Sequence, residues 1–142
     1  MLIRQALPTE LPTILELAQS GALLEAGIAE RIDAFLLAFD GHRACGACGL
    51  EEYGSDGLLR TVVVLPAHRG IGLGRKLVLA ALERARQRRL GNVYLLTTTA
   101  RDFFLSLGFH AVARETAPPG IRGSWEFSSG CPATAVLMQR RP

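Results

Sequence analysis

The sequence predicts an α/β fold with a mixed sheet, and three observations carry that expectation. Short apolar runs of strand length alternate with amphipathic helical stretches. Turn signals at Asp40-Gly41 and at Gly54 to Gly57 set consecutive strands back on one another. The 142 residues, 49 % hydrophobic and 20 % charged, make about one domain's worth of chain, enough to bury a core without disulfide staples. Residues 1–142 show no repeat and no linker, so a single domain is expected.

The elements follow in order. Leu2 to Gln5, a short apolar–basic run, reads as a first strand. Thr9 can cap a helix that tolerates Pro12 in its first turn, and Leu11, Ile14, Leu15 and Ala18 share its buried face. Gly21 ends it, and Leu23 to Ile32 reads as a second, weaker helix with Gly27 inside. Ala34 to Phe39 and Ala44 to Tyr53 are strands joined at Asp40-Gly41. Gly46 and Gly49 mark the second as closely approached by another group. Leu58 to Val64 is the most strand-like run, with three consecutive valines. A glycine-rich loop, Pro66 to Gly74, leads into a helix traced by Leu73, Leu77, Ala80, Ala81, Leu82 and Ala85. Arg84, Arg86, Arg88 and Arg89 suit the negative end of its dipole. Asn92 to Thr97 is a strand, Ala100 to Leu107 a short helix stopped by Gly108, and Phe109 to Ala113 a strand. Ala117 to Gly130 is irregular, with one helical turn, and Ala133 to Gln139 closes the sheet.

Charge and cysteine content narrow the function. Sixteen basic and 13 acidic residues leave +3, too small a surplus for a polybasic binder. Lys76 is the sole lysine, most simply a matter of genome composition, although arginine also suits phosphate. No aromatic platform accompanies the arginines, so no nucleic-acid partner is expected. No apolar run approaches the roughly 20 residues of a membrane span. The N-terminus, broken by Pro8 and Pro12 and carrying Glu10 and Glu16, is not a signal peptide, so a cytoplasmic protein without a membrane partner is expected. Cys45 and Cys48 form a C-x-x-C with no second pair for zinc, and residues three apart on a strand face opposite ways unless a bulge intervenes. No metal is expected. A metalloid-binding protein using Cys45, Cys48 and Cys131 is the rival reading.

The loop Arg69-Gly70-Ile71-Gly72-Leu73-Gly74 lies between a buried strand and a helix, where backbone N–H groups and the helix N-terminus together can hold a diphosphate. A dinucleotide fingerprint needs G-x-G-x-x-G and a Walker loop needs Gly-Lys-Ser/Thr; neither is present. A plain strand–helix turn and an acyl-coenzyme A loop stay open. Arg69, Gly72 and Gly74 match Arg/Gln-x-x-Gly-x-Gly/Ala, the loop of the GNAT N-acetyltransferases. Val62-Val63-Val64-Leu65-Pro66-Ala67-His68-Arg69-Gly70 resembles the GNAT approach to that loop. Ala100-Arg101-Asp102-Phe103-Phe104-Leu105-Ser106-Leu107-Gly108-Phe109 resembles the second GNAT signature. Leu58 to Val64, the run Leu95-Leu96-Thr97-Thr98-Thr99-Ala100, and Cys131-Pro132-Ala133-Thr134-Ala135 resemble the N-acetyltransferases of arsenic-resistance operons. The Leu-Leu-Thr-Thr-Thr run is also similar to the acetyltransferase domain of N-acetylglutamate synthases.

The resemblance implies a GNAT fold, a mostly antiparallel mixed sheet splayed in the middle with flanking helices. It also implies acetyl-CoA as cosubstrate, the primary amine of an amino acid or amino-acid-like compound as acceptor, and a homodimer. The pantetheine arm would pair with backbone at Val62 and Val64, between that strand and Asn92 to Thr97. The diphosphate would sit on N–H groups from Arg69 through Gly70, Ile71, Gly72 and Gly74, with Arg75 nearby. Phe103 and Phe104 would wall the pantetheine. A backbone N–H of the valine strand would meet the thioester carbonyl as oxyanion donor. Two positions depart from the family: Phe104 stands where many members carry a tyrosine acid, with Tyr94 and Ser106 as weak substitutes, and Thr97 stands where an Asn is frequent. Phe104 also admits a non-catalytic acyl-CoA-binding module. From the residues themselves, Glu51 or Glu52 is the expected base. Arg60 on a buried strand needs a partner, either a substrate carboxylate or one of those two acids. Arg122 and Glu126 are expected to line the acceptor site or lie on the surface. His68 and His110 are expected at the surface, and Trp125 in packing or as a lid.

Overall fold

The structure is a computed structural model that describes residues 1–130 and 132–142, the side chains of Ser129 and Gly130 excepted. Cys131 and the expectation attached to it therefore lie outside the described residues. The elements run β1 (Leu2–Gln5), α1 (Leu11–Ser20), β2 (Phe35–Asp40), β3 (Arg43–Tyr53), β4 (Asp56–Val64), α2 (Leu73–Gln87), β5 (Asn92–Thr97), α3 (Arg101–Ser106), β6 (His110–Val112), α4 (Pro119–Arg122) and β7 (Val136–Arg140). Among the described residues one seven-stranded sheet forms in the order β1-β2-β3-β4-β5-β7-β6. Its neighbours pair antiparallel except β4 and β5, which are parallel.

Strand alternation splits the core between two faces. Phe35, Leu37, Ala47 and Val63 meet Ile14, Leu17 and Ala18 of α1. On the other face Leu36, Ala38, Leu50 and Leu59 meet Leu73, Leu77, Val78 and Leu82 of α2. Each such fully buried aliphatic side chain stabilises the fold by about 1.5–3 kcal/mol over its exposed state. A third cluster, Leu58, Tyr94, Ile121 and Leu137, lies under α4.

Three local expectations are corrected. Thr9 is not the cap of α1; a 3-10 turn at Pro8–Glu10 precedes the helix, and the Glu10 carboxylate accepts the Leu7 N–H at 2.7 Å. Arg4 also holds that carboxylate at 2.8 Å and pulls its pKa down to about 2. Residues 23–32 form no α-helix: only a 3-10 segment, Ala29–Ala34, appears there, and Gly27 takes φ +82°. The physical reason is competition for carbonyls. Arg60 takes Leu24 O at 3.0 Å and Ala26 O at 2.8 Å, acceptors that a helix there would need. Cys45 and Cys48 do not face opposite ways. Ala38 pairs with Gly46 while Phe39 pairs with Ala44, so Cys45 is the extra residue of a bulge. Both thiols enter the α2-side cluster, Cys45 Sγ toward Ala38 O and Cys48 Sγ toward Leu77 O, and burial pushes the Cys48 thiol up to about 12.

The glycines of β3 mark close approaches, as expected. A Cβ on Gly46 would stand 3.0 Å from Leu77 Cδ1, and one on Gly49 would stand 2.8 Å from the ring of the fully buried Phe35. Gly49→Ala forces that ring aside in a packed core and is expected to cost about 1–3 kcal/mol. Urea denaturation reads the loss; an unchanged midpoint contradicts the packing described.

Candidate active site

The site begins where the sheet fails to close. β4 and β5 pair over Asp56↔Asn92, Gly57↔Val93 and Leu58↔Tyr94, and no further. Beyond Leu58 the strands part around a cleft of about 560 Å³, bounded by Val62 and Val64 on one side and Leu96 and Thr97 on the other. A bulge in β4 accompanies the parting. Gly49 faces Arg60 and Ala47 faces Val63, so one residue of β3 spans two of β4, and Thr61 takes φ +56°. A β-branched residue in that left-handed region is under strain, which the surroundings must hold. Leu65 N–H bonds back to Cys45 O. By alternation the polar groups of Val64 and Val62 turn away from β3 and toward the cleft.

The glycine-rich loop closes one end. Gly70 and Gly72 both have φ +81°, which β-carbon-bearing residues rarely adopt, and Gly72 stands directly before α2. The first N–H groups of the 15-residue α2 lack helical acceptors, and the helix dipole adds partial positive charge there. Ile71 and Arg75 are exposed beside them. Arg69 lines the cleft and its Nε donates to Val64 O at 3.0 Å. Phe103 reaches to within 3.6 Å of a Cβ built on Gly74. Phe104 lines the cleft from below, packed edge-on between Phe103 and Phe109 at centroid distances of 5.0 and 5.7 Å. Thr97 Oγ1 accepts the Ala100 N–H at 3.0 Å, so the hydroxyl caps the entry to α3 while the residue lines the cleft.

A buried ion cluster closes the other end. Arg60 is 7 % exposed. Its Nη1 contacts Glu51 Oε2 at 3.2 Å and Glu126 Oε1 at 2.5 Å, and its Nε donates to Thr61 Oγ1 at 3.1 Å. The Leu24 and Ala26 carbonyls complete its partners. Glu51, 2 % exposed, also accepts the Tyr53 hydroxyl at 2.8 Å on Oε1. Burial, with Glu51 alongside, pushes the Tyr53 pKa up. Burial raises Glu126 to about 6; Arg60 opposes the rise and Glu51 adds to it. Glu126 lines the cleft, and its buried Oε2 has no hydrogen-bond partner among the described residues.

The structure separates the expected site residues. Val62, Val64, Arg69, Thr97 and Phe104 border the cleft together with Arg60 and Glu126. Glu51 belongs to the ion cluster and is not among the cleft's lining residues. Glu52 points elsewhere, as its strand position next to Glu51 requires, and pairs with Arg88, which follows the last residue of α2. Arg60 meets the protein's own acids and carbonyls, the structural one of its two expected partners, rather than standing free for a substrate carboxylate. Arg122 donates to Ala117 O at 3.0 Å and does not border the cleft. His68 pairs with Asp40 at 3.1 Å, and His110 and Trp125 are exposed. Sequence reading passed over Ala22, Leu23 and Leu24, which line the acid-cluster side, because their segment reads as helix. Glu126, expected at the acceptor site or on the surface, lines the cleft, and it is a partner of Arg60 beyond the two acids expected for it.

The acetyltransferase (GNAT) domain family matches residues 31–111, from the turn before β2 through the glycine loop into β6. The chain belongs to the GNAT acetyltransferase domain family. Solved structures agree on the GNAT fold. Rv2747 from Mycobacterium tuberculosis, in complex with CoA and NLQ, superposes with a TM-score of 0.80 at 22 % identity, over 100 % of this chain and 99 % of that one. N-acetylglutamate synthase from Neisseria gonorrhoeae, complexed with coenzyme A and L-arginine, gives 0.83 at 20 % identity over 99 % of this chain; the match spans only 32 % of the synthase chain. PaiA N-acetyltransferase from Thermoplasma acidophilum, with coenzyme A, gives 0.76 at 14 % identity over 99 % and 98 %. No curated protein matches the sequence.

The ion cluster of this GNAT domain yields a stability prediction with a definite pH sign. Arg60→Leu leaves two buried carboxylates uncompensated, at an expected cost of about 3–5 kcal/mol at neutral pH. Without the guanidinium that opposes it, the Glu126 pKa rises further above its unfolded value. A raised carboxylate contributes stability below the unfolded pKa and loses it as pH rises through the folded one. The deficit of Arg60→Leu should therefore shrink on acidification. Urea denaturation at neutral and at mildly acidic pH measures both arms; a deficit independent of pH contradicts the cluster's charge state.

Proposed function

We propose that residues 1–142 form a single catalytic domain that moves the acetyl group of acetyl-CoA to the primary amine of a small molecule, an amino acid or amino-acid-like compound. The parting of β4 and β5 is the observation that carries this reading. A slot walled by strands, with the N–H groups of Val62 and Val64 turned away from β3, suits an extended amide-containing arm that adds itself like a strand. The left-handed Gly70 and Gly72 before α2 suit a diphosphate, with Arg69 and Arg75 beside it. Phe103 and Phe104 give the arm an apolar floor.

In this reading the amine nitrogen attacks the thioester carbonyl carbon directly. A nitrogen–carbon bond forms, the carbon–sulphur bond breaks, and a valine-strand N–H steadies the oxyanion between the two events. Phe104 has no proton to give the departing thiolate, and Tyr94 lies in the third core cluster away from the cleft. The thiolate therefore takes its proton from solvent. The amino-acid class of acceptor rests on the Leu95-Leu96-Thr97-Thr98-Thr99 likeness to N-acetylglutamate synthases. The likeness to arsenic-resistance enzymes extends it to amino-acid-like arsenicals. The same family resemblance supports a homodimer.

A thiol-release assay with acetyl-CoA across amino acids, amino-acid-like arsenicals and herbicides tests the proposal. Acetylation of at least one amine is expected. Tight CoA binding with no amine acetylated overturns it in favour of a non-catalytic acyl-CoA-binding domain, the reading that Phe104 favours. Gly72→Val tests the loop. The left-handed conformation costs a β-carbon-bearing residue about 1–2 kcal/mol, so CoA affinity should fall about tenfold or more. Calorimetric titration with CoA measures it, and an unchanged Kd removes the loop from the site.

A further inference from the structure

Glu126 begins a π-helical turn, Glu126–Gly130, that brings the C-terminal segment to the cleft. It is 6 % exposed. Arg60 Nη1 holds its Oε1 at 2.5 Å, and its Oε2 is buried with no hydrogen-bond partner among the described residues. Buried carboxylate oxygens are normally satisfied, so an unsatisfied one on a residue that lines a cleft marks where a donor belongs. The charge around it has a definite sign. Among the described residues, Glu51 and Tyr53 of β3 and Arg60 of β4 are the titratable groups that face it. Two carboxylates share one guanidinium, so the ionised cluster carries a net single negative charge. That charge suits an ammonium group, with Ala22, Leu23 and Leu24 as an apolar wall beside it.

We propose that Glu126 Oε2 is the group that receives the acceptor amine and takes its proton, with Arg60 and Glu51 as positioning residues that hold the carboxylate at the cleft wall. The proposal rests on the acetyl-transfer reading and assigns its base to a residue other than Glu51 or Glu52. An ammonium sheds two protons on its way to an amide. One passes to Glu126 Oε2 and on to solvent, freeing the lone pair that attacks. The second leaves the nitrogen as the tetrahedral intermediate collapses, and balances the proton that the thiolate sulphur takes up.

The test uses the full chain and two readouts. Glu126→Gln is expected to lower kcat/KM for the best acceptor of the panel by about 100-fold or more, leave CoA affinity unchanged, and abolish a rising pH limb near 6. Glu126→Asp should restore part of the activity. Unchanged kcat/KM with the limb intact overturns the proposal. Carboxyl-13C NMR of glutamate-labelled wild type reads the same group without turnover. One signal should titrate near 6, vanish in Glu126→Gln, and shift when n-propylamine is added to the CoA-loaded protein. No such signal, or one unmoved by the amine, overturns the proposal. Absence of acetylation by the wild type, with that signal present and responsive, overturns the acetyl-transfer reading alone.

Discussion

One guanidinium holds together the part of the molecule that matters for chemistry. Arg60 touches β3 through Glu51, the segment before β2 through the Leu24 and Ala26 carbonyls, the bulge through Thr61, and the C-terminal turn through Glu126. Burying a charge and its counter-charges is expensive, and ion pairing alone seldom offsets it. Here several acceptors converge on a single fork, which is the condition under which such a network rigidifies its surroundings. The chain departs from regular structure around it: residues 23–32 forgo an α-helix, and Thr61 accepts a left-handed backbone.

That network and the sheet's failure to close are two sides of one arrangement. β4 pairs with β3 along most of its length but with β5 only as far as Leu58. The bulge lies just beyond that last pair, between Arg60 and Val63. Past it, the Val62 and Val64 N–H groups face the cleft instead of a neighbouring strand, while Val64 O accepts from Arg69 Nε. The helix α2 and its preceding glycines sit at one end of that space, the acidic cluster at the other. The slot thus has positive charge at one end and negative charge at the other, which suits the anionic cosubstrate and cationic acceptor proposed for it. Phe104 keeps the slot's floor apolar, which separates the role of a wall from that of a proton donor.

Most strands were legible because their signals are local. β1 and β5 have the expected limits, and the Asp40-Gly41 turn returns the chain as turn chemistry says, while the turn expected over Gly54 to Gly57 is confined to Gly54-Ser55 because β4 begins at Asp56. The loop glycines were legible for the same reason, since backbone reversal before a helix needs them. What escaped depends on partners far along the chain. Leu23 to Ile32 carries a helical pattern, yet its carbonyls go to an arginine more than thirty residues away. The Cys45–Cys48 spacing misled because the bulge that reorients the pair is set by its register with β2. The neighbouring acids Glu51 and Glu52 look equivalent in sequence, and only the pleat sends one to Arg60 and the other to Arg88.

The central claim is that β4 offers its unpaired edge to the cosubstrate. Amide hydrogen exchange at Val62 and Val64, in the free protein and with CoA added, tests it most directly. These N–H groups should exchange quickly in the free protein, unlike that of Leu65, which is bonded to Cys45 O, and should become protected when CoA binds. Protection already present without CoA, or exchange unchanged by saturating CoA, would contradict the account.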